Sequence, residues 1–338
     1  MSVVKDRAVS ALDAPLVKPL VTAVKAKGRK EIAMAVMPVA ALVGLLIALA
    51  IANPRLVQSR SLLTLADSAA PLIVLAAGAT IVVLCGGIDL SIAALASMAS
   101  VLLALWSPGM SGGSILLVIA VCAVAGFVQG LIHVVFRIPS FIVTLGGMTV
   151  WSALALLLSG ASTIPIKDSS VTDWAFTRIG KVFPSAVLIA LGVVAVLGLA
   201  LWLTPLRRWV SAIGHAEAAA RLAGIPVDRV KVLAFTLSGA CAGLAGVLVV
   251  ARTFSGAPTL ADSLLLPAVA AIVVGGTAIT GGHGALWRTV VGASIVTLLR
   301  VGLSLIGIDA AYESIVYGAL IIGSVALTID RSKISIVK

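Results

Sequence analysis

The chain has 338 residues, of which 61% are hydrophobic and 11% charged, with a formal net charge of +11 and a mean hydropathy of +1.20. Soluble domains carry roughly 25% charged residues, so the composition excludes a soluble globular domain and describes an all-α polytopic membrane protein. The basic excess does not point to nucleic acid, because Lys and Arg sit in short segments between apolar runs, as the positive-inside rule expects.

Residues 1–31 carry Lys5, Arg7, Lys18, Lys25, Lys27, Arg29 and Lys30 and are interrupted by Pro15 and Pro19. They read as a basic cytoplasmic tail and not as a cleaved secretory signal. A spanning helix needs about 20 mostly apolar residues, and charge-sparse runs then locate about ten transmembrane helices within a transmembrane domain at 32–330. The expected spans are 32–52, 67–86, two within the charge-free stretch between Asp89 and Arg137, then 141–159, 184–204, 232–250, 264–280, 285–306 and 312–329. Ser107-Pro108-Gly109 to Gly112-Gly113 is the expected turn between the third and fourth. Ten spans put both termini on one side. Placing that side in the cytoplasm puts most of the 24 Lys and Arg there, together with the loop 205–231 and the tail 331–338.

Three stretches carry the functional signal. The first is Gly86-Gly87-Ile88-Asp89-Leu90-Ser91. An Asp between two long apolar runs costs about 2.5–3.5 kcal/mol at a bilayer centre on insertion scales. It is explained either by capping of the third helix or by a gating or pathway role. The second is Gly214 to Lys231, the densest charge in the middle of the chain. Glu217 to Ala223 reads as a short Ala-rich helix that Gly224 ends and Pro226 cannot continue. It is either a polar loop between spans or a docking surface for a soluble partner. The third is Gly275-Gly276-Thr277-Ala278-Ile279-Thr280-Gly281-Gly282-His283-Gly284, whose glycines suggest a helix break or close approach to a neighbouring helix. The chain contains no G-x-x-x-x-G-K-[ST] phosphate loop.

Other residues read as structural. Cys85, Cys122 and Cys241 lie in apolar runs without metal or redox spacing. His133, His215 and His283 are far apart in sequence and suggest no cluster. Thr144, Thr149, Ser238 and Thr277 are small polar residues in spans, which usually pack helices together. Arg252, Arg300, Asp309 and Glu313 near the outer span ends read as interfacial charges or as an outer docking surface. Trp106 and Trp174 fit one interfacial belt, and Trp209 and Trp287 the other.

These stretches resemble the permease subunits of bacterial ABC importers for monosaccharides, the ribose-type branch that includes autoinducer-2 permeases. The resemblance covers about residues 61–331. GGIDLS at 86–91 is similar to the family's signature turn, with Gly86, Gly87, Asp89 and Ser91 as its gating residues. EAAARLAGIPVDRVK at 217–231 is similar to its ATPase-coupling loop, here Gly214, Glu217, Ala218, Ala219, Arg221, Leu222, Gly224 and Ile225. VVGGTAITGGHG at 273–284 is similar to its Gly-rich late motif, here Gly275, Gly276, Thr277, Gly281, Gly282 and Gly284. Two positions depart from the pattern: His215-Ala216 stand where the family often has Gly-Asn, and Arg288 precedes Thr289 where the late motif usually continues to Gly-Thr.

The resemblance implies a transport subunit in the inner membrane with no catalytic residues, metal or cofactor of its own. ATP would be bound by a cytoplasmic ATP-binding-cassette ATPase. A periplasmic sugar-binding protein would deliver solute, and a second permease copy or paralogue would complete a dimer in the bilayer. The competing class is an ion-gradient-driven secondary transporter, for which Asp89 is the strongest embedded ionisable group. No motif of a membrane enzyme is present.

Overall fold

The computed structural model describes residues 36–110, 112–179, 183–309 and 312–328. The tails at 1–31 and 331–338 lie outside the described residues. The described chain is helical almost throughout. In order it forms α1 (Val36–Ala52), α2 (Ser59–Leu84), α3 (Ile92–Met110), α4 (Gly113–Val135), α5 (Ser140–Ser159), α6 (Ser185–Leu203), α7 (Leu206–His215), α8 (Glu217–Leu222), α9 (Val227–Thr253), α10 (Leu265–Val274), α11 (Leu286–Leu305) and α12 (Glu313–Thr328). Seven of these, α2 to α6 with α9 and α11, are long and apolar enough to cross a membrane, and α1, α10 and α12 are shorter apolar helices.

The centre is built from α2, α3 and α9. From Ala69 to Leu84 every residue of α2 is buried, and Ile92 to Ala104 of α3 are buried likewise. A helix apolar on all sides belongs inside a bundle. Against α3 and the neighbouring α4, α9 packs through small residues. A Cβ added at Gly239 would lie 2.3 Å from the Cys122 carbonyl oxygen, and one at Gly246 would lie 2.4 Å from that of Ala96. Lipid tails are as apolar as leucine, so helices in a bilayer gain little from hydrophobicity and associate through such close backbone approach. The outer helices α4, α5 and α6 turn large apolar side chains outward, among them Leu116, Val124, Leu157 and Val196, as a lipid-facing surface does. Cys85, Cys122 and Cys241 are free and buried.

Two-residue strands tie the loops at the end of the bundle away from α7 and α8. β1 (Ile164–Pro165) pairs antiparallel with β4 (Ser255–Gly256), and β2 (Arg178–Ile179) with β3 (Phe183–Pro184). The charges expected at outer span ends are engaged within the chain. Arg252 meets Asp67 at 3.5 Å, and Arg300 meets Glu313 at 3.4 Å.

The turn expected within Ser107-Pro108-Gly109 to Gly112-Gly113 falls at the far end of that stretch, because α3 runs through Pro108 to Met110 and α4 begins at Gly113. Two expected boundaries are corrected. The second span starts earlier than residue 67 and absorbs Pro71 within α2. The eighth span, expected over 264–280, is a helix of only 10 residues, about 15 Å long. The Gly275-Gly276 pair stops it. Gly276 takes φ +81, its N–H bonds to the Val273 carbonyl, and Thr277 N–H reaches back to Ile272, the double bond of a Schellman cap. At its other end the loop before α10 is pinned to the middle of α3. There Ser97 Oγ donates to Asp262 at 2.7 Å and accepts from Ala261 N–H at 2.9 Å. Non-helical backbone at membrane depth survives only where protein satisfies it, and these serine bonds do so.

A candidate coupling and gating site

The charged module folds as its sequence suggests. α8 ends at Leu222, Gly224 takes φ +78, and Ile225 N–H reaches the Ala220 carbonyl at 3.1 Å while Gly224 N–H reaches Arg221 at 3.0 Å. This is again a Schellman cap. Lys231, on the first turns of α9, donates to Glu217 at 2.6 Å. Arg221 donates to Glu217 at 3.1 Å and also to Asp228. The four charges form one network that sets the angle between α8 and α9. Such half-exposed pairs add little stability, so their role is to hold shape. Ala220 packs inward, whereas Ala218 and Ala219 are exposed and Leu222 is 92% exposed.

The network perturbs the Glu217 carboxylate. Burial by itself would push Glu217 up, but the hydrogen bond and charge of Lys231, and then those of Arg221, outweigh it and hold Glu217 below its usual range. Groups that bind protons less readily when folded contribute fully above their unfolded value, about 4 for Asp and Glu. They lose that contribution as pH falls through the depressed folded value. Hydrogen exchange of 217–231, corrected for its intrinsic rate, is therefore expected to stay flat from pH 8 to 5 and to accelerate below about pH 4. Loosening between pH 5 and 8 would contradict the network.

Behind this module three glycine segments from distant parts of the chain touch. Gly282 N–H donates to the Leu84 carbonyl at 2.9 Å. A Cβ on Gly214 would sit 2.1 Å from that same oxygen and 2.2 Å from Gly282 N, and a Cβ on Gly281 would sit 2.7 Å from Gly86. Ser211 Oγ bonds the Gly282 carbonyl at 2.7 Å. Gly86, Gly281 and Gly282 all have positive φ, conformations that glycine adopts without steric cost. The ends of α2 and α7 and the Gly-rich loop thus share one backbone junction. Gly275 backs onto the Arg288 carbonyl, and Gly284 onto Thr277. Close packing survives beside Arg288, where Thr289 Oγ1 lies 2.8 Å from Thr80 Oγ1. Gly86 caps α2 as Gly276 caps α10, with Gly87 N–H returning to Val82 and Gly86 N–H to Val83.

From the exposed Gly86 the chain runs unwound inward to Ser91, with Asp89 and Ser91 buried. α5 satisfies it, with Ser140 Oγ accepting from Ile88 N–H at 3.0 Å and Thr144 Oγ1 donating to the Ile88 carbonyl at 3.2 Å. Asp89 is 6% exposed. Its Oδ1 accepts from Ser91 N–H at 3.0 Å and Ser91 Oγ at 2.6 Å, and its Oδ2 from Ser238 Oγ of α9 at 2.8 Å. This corrects the expected capping role. The carbonyl that takes the first bond of α3, from Leu95 N–H, belongs to Ser91. Asp89 holds that residue in place and ties it to α9. Gln129 joins through Ser91 Oγ at 3.2 Å, while its amide nitrogen is buried without a protein partner. A cleft of ≈ 310 Å³ lined by Gly86, Gly87, His133, Ser140, Glu217 and Lys231 lies beside the signature turn and reaches the charged module.

Sequence reasoning missed Gln129, Ser140 and Ser211, and passed over Thr144 and Ser238 as packing residues. A glutamine in an otherwise apolar helix was the one signal available for the first. The reading of three isolated histidines is overturned for two of them, since His215 and His283 are in contact. His133 stands elsewhere, its Nδ1 2.6 Å from the Ile138 carbonyl.

Comparison with known proteins agrees with this architecture. A family model described as "Branched-chain amino acid transport system / permease component" matches residues 61–325, a stretch that contains all three motifs. The ribose import permease of Bacillus subtilis is 34% identical over 299 residues, covering 86% of this chain and 90% of the relative. A probable ABC transporter permease of Sinorhizobium fredii is 31% identical over 90% of each chain. The fructose import permease of Rhizobium meliloti is 32% identical over 75% of this chain and 73% of the relative. No solved structure matches. The family match over most of the chain and the stacked membrane helices agree: this chain belongs to the branched-chain amino acid transport system / permease component family and is a multi-pass inner-membrane ABC permease.

Proposed function

We propose that the chain translocates a monosaccharide or similarly small polar solute inward, with ATP bound and hydrolysed on a separate cytoplasmic ATP-binding-cassette subunit that docks on α8. A periplasmic sugar-binding protein supplies the solute, and a second permease copy or paralogue completes the assembly. The observation that carries the docking reading is the braced module itself. Four charges hold α8 at a set angle, and the apolar Leu222 at its end is 92% exposed. The sugar class is supported by the ribose and fructose relatives. The gate is the unwound turn 86–91, and the glycine junction joins it to α7. A push on α8 then reaches the gate through α7 and Gly214 without any covalent chemistry in the permease.

The test is affinity capture from native membranes with mass spectrometry, followed by uptake in vesicles. Leu222→Asp removes an apolar contact without touching the fold, and Glu217→Lys places like charges beside Lys231 and Arg221. Loss of a contact at an interface hot spot costs about 2 kcal/mol or more. Each variant should therefore recover an ATPase with at least about tenfold lower yield while inserting normally. Undiminished ATP-dependent uptake by both would sink the docking reading.

A further inference from the structure

At the glycine junction two imidazoles from segments 68 residues apart face each other, with Nε2 of His215 3.2 Å from Nε2 of His283 and ring centroids 4.2 Å apart. The Nδ1 of His215 lies 2.6 Å from the Ser211 carbonyl oxygen. A carbonyl only accepts, so Nδ1 carries the proton and the Nε2 of the neutral ring presents its lone pair towards His283. This is the arrangement in which metal-binding histidines are oriented, the second ring nitrogen being held by a backbone carbonyl. Two imidazole nitrogens on a zinc-sized ion, each about 2.0–2.1 Å away, stand about 3.1–3.4 Å apart at ligand angles of about 100–109°. The observed Nε2 separation falls inside that interval, and the rings, with centroids 4.2 Å apart, splay by about 1 Å to aim both lone pairs at one ion.

We infer that His215 and His283 form a two-histidine chelate for a borderline divalent transition-metal ion of the Zn²⁺ or Cu²⁺ type, pinning the end of α7 to the Gly-rich loop. Imidazole suits these ions better than Mg²⁺ or Ca²⁺, which prefer oxygen. Both rings are exposed, so an ion reaches them from solvent. His215 is the last residue of α7, where the unpaired carbonyls of a helix end favour positive charge. Opposing this, Arg207 and Arg208 line the same surface depression as His215 and repel a dication. Among the described residues no group of three or more His, Cys, Asp or Glu side chains gathers for a metal. Water or small anions therefore complete the coordination, and anions are favoured beside the two arginines. The inference does not depend on the transport reading.

The full-length chain in detergent, stripped with chelator, is titrated with Cu²⁺ and followed by electron paramagnetic resonance. Binding is then repeated with Zn²⁺ as competitor and with thermal melting as a second readout. One ion per chain with two imidazole nitrogens is expected, together with a higher melting temperature. His215→Asn keeps a donor near the Ser211 carbonyl, and His283→Gln keeps a side-chain amide near the Nε2 position. Losing even an outer-shell partner weakens a site by about 10–100-fold, so each substitution of a direct ligand should weaken binding by about 100-fold or more. Unchanged affinity in both variants overturns the inference, as does a wild-type spectrum with fewer than two nitrogens. The nitrogen count needs no variant, so a misfolded substitution would not block the test.

Discussion

Asp89→Ala is expected to cost about 2–6 kcal/mol of stability, because it strands at least two buried donors at ~1–3 kcal/mol each. The three donors on the carboxylate are Ser91 N–H, Ser91 Oγ and Ser238 Oγ. Among the bonds of the described residues, Ser91 Oγ alone is shared with a second acceptor, Gln129 Oε1 at 3.2 Å. Water cannot easily substitute at a residue 6% exposed. The start of α3 would lose its tie to α9, so lower monodisperse yield and a lower melting temperature in detergent should accompany lost uptake. Asp89→Asn separates the two functional classes. Its oxygen still accepts from Ser91, and its amide donates to Ser238 Oγ, whose hydroxyl rotates to suit. A structural tie predicts near-normal stability and uptake for Asn. An ion-coupled carboxylate predicts a stable protein that no longer transports, which would favour the gradient-driven reading. Wild-type yield and uptake in the alanine variant would show that Asp89 neither braces nor gates.

Gly214→Ala is expected to be strongly disruptive. The added carbon would meet the Leu84 carbonyl oxygen at 2.1 Å and Gly282 N at 2.2 Å. Both are backbone atoms, so no flexible side chain can give way. Overpacking costs about 1–3 kcal/mol in ordinary cores, and the cost here should reach the top of that range. The segments must part, which breaks the 2.9 Å bond from Gly282 N–H to Leu84 and separates α7 from the signature turn. Uptake is expected to fall severely while the chain still inserts. Gly192→Ala on α6, where a Cβ meets nothing within 4 Å, is the matched control and should transport normally. Equal uptake by the two variants would mean that the junction does not link α7 to the proposed gate.

The class of the protein, the approximate positions of its apolar helices and the ends of α2 and α8 were legible in the sequence. These are local properties: hydropathy is summed over one helix, and a Gly-Gly or Gly-Ile-Pro break acts on the turn it interrupts. The three motifs were legible too. Tertiary structure decided what those motifs do to one another. Asp89 finds partners 2 and 149 residues away in α3's entry and in α9. The Gly-rich loop lands on Leu84, and His215 meets His283 across 68 residues. The short α10 escaped the sequence reading because hydropathy cannot distinguish a full span from a half-helix followed by apolar glycine turns. In a bilayer every buried backbone group must find a partner. Where the chain unwinds, that partner came from another segment, and only the packed bundle could choose which.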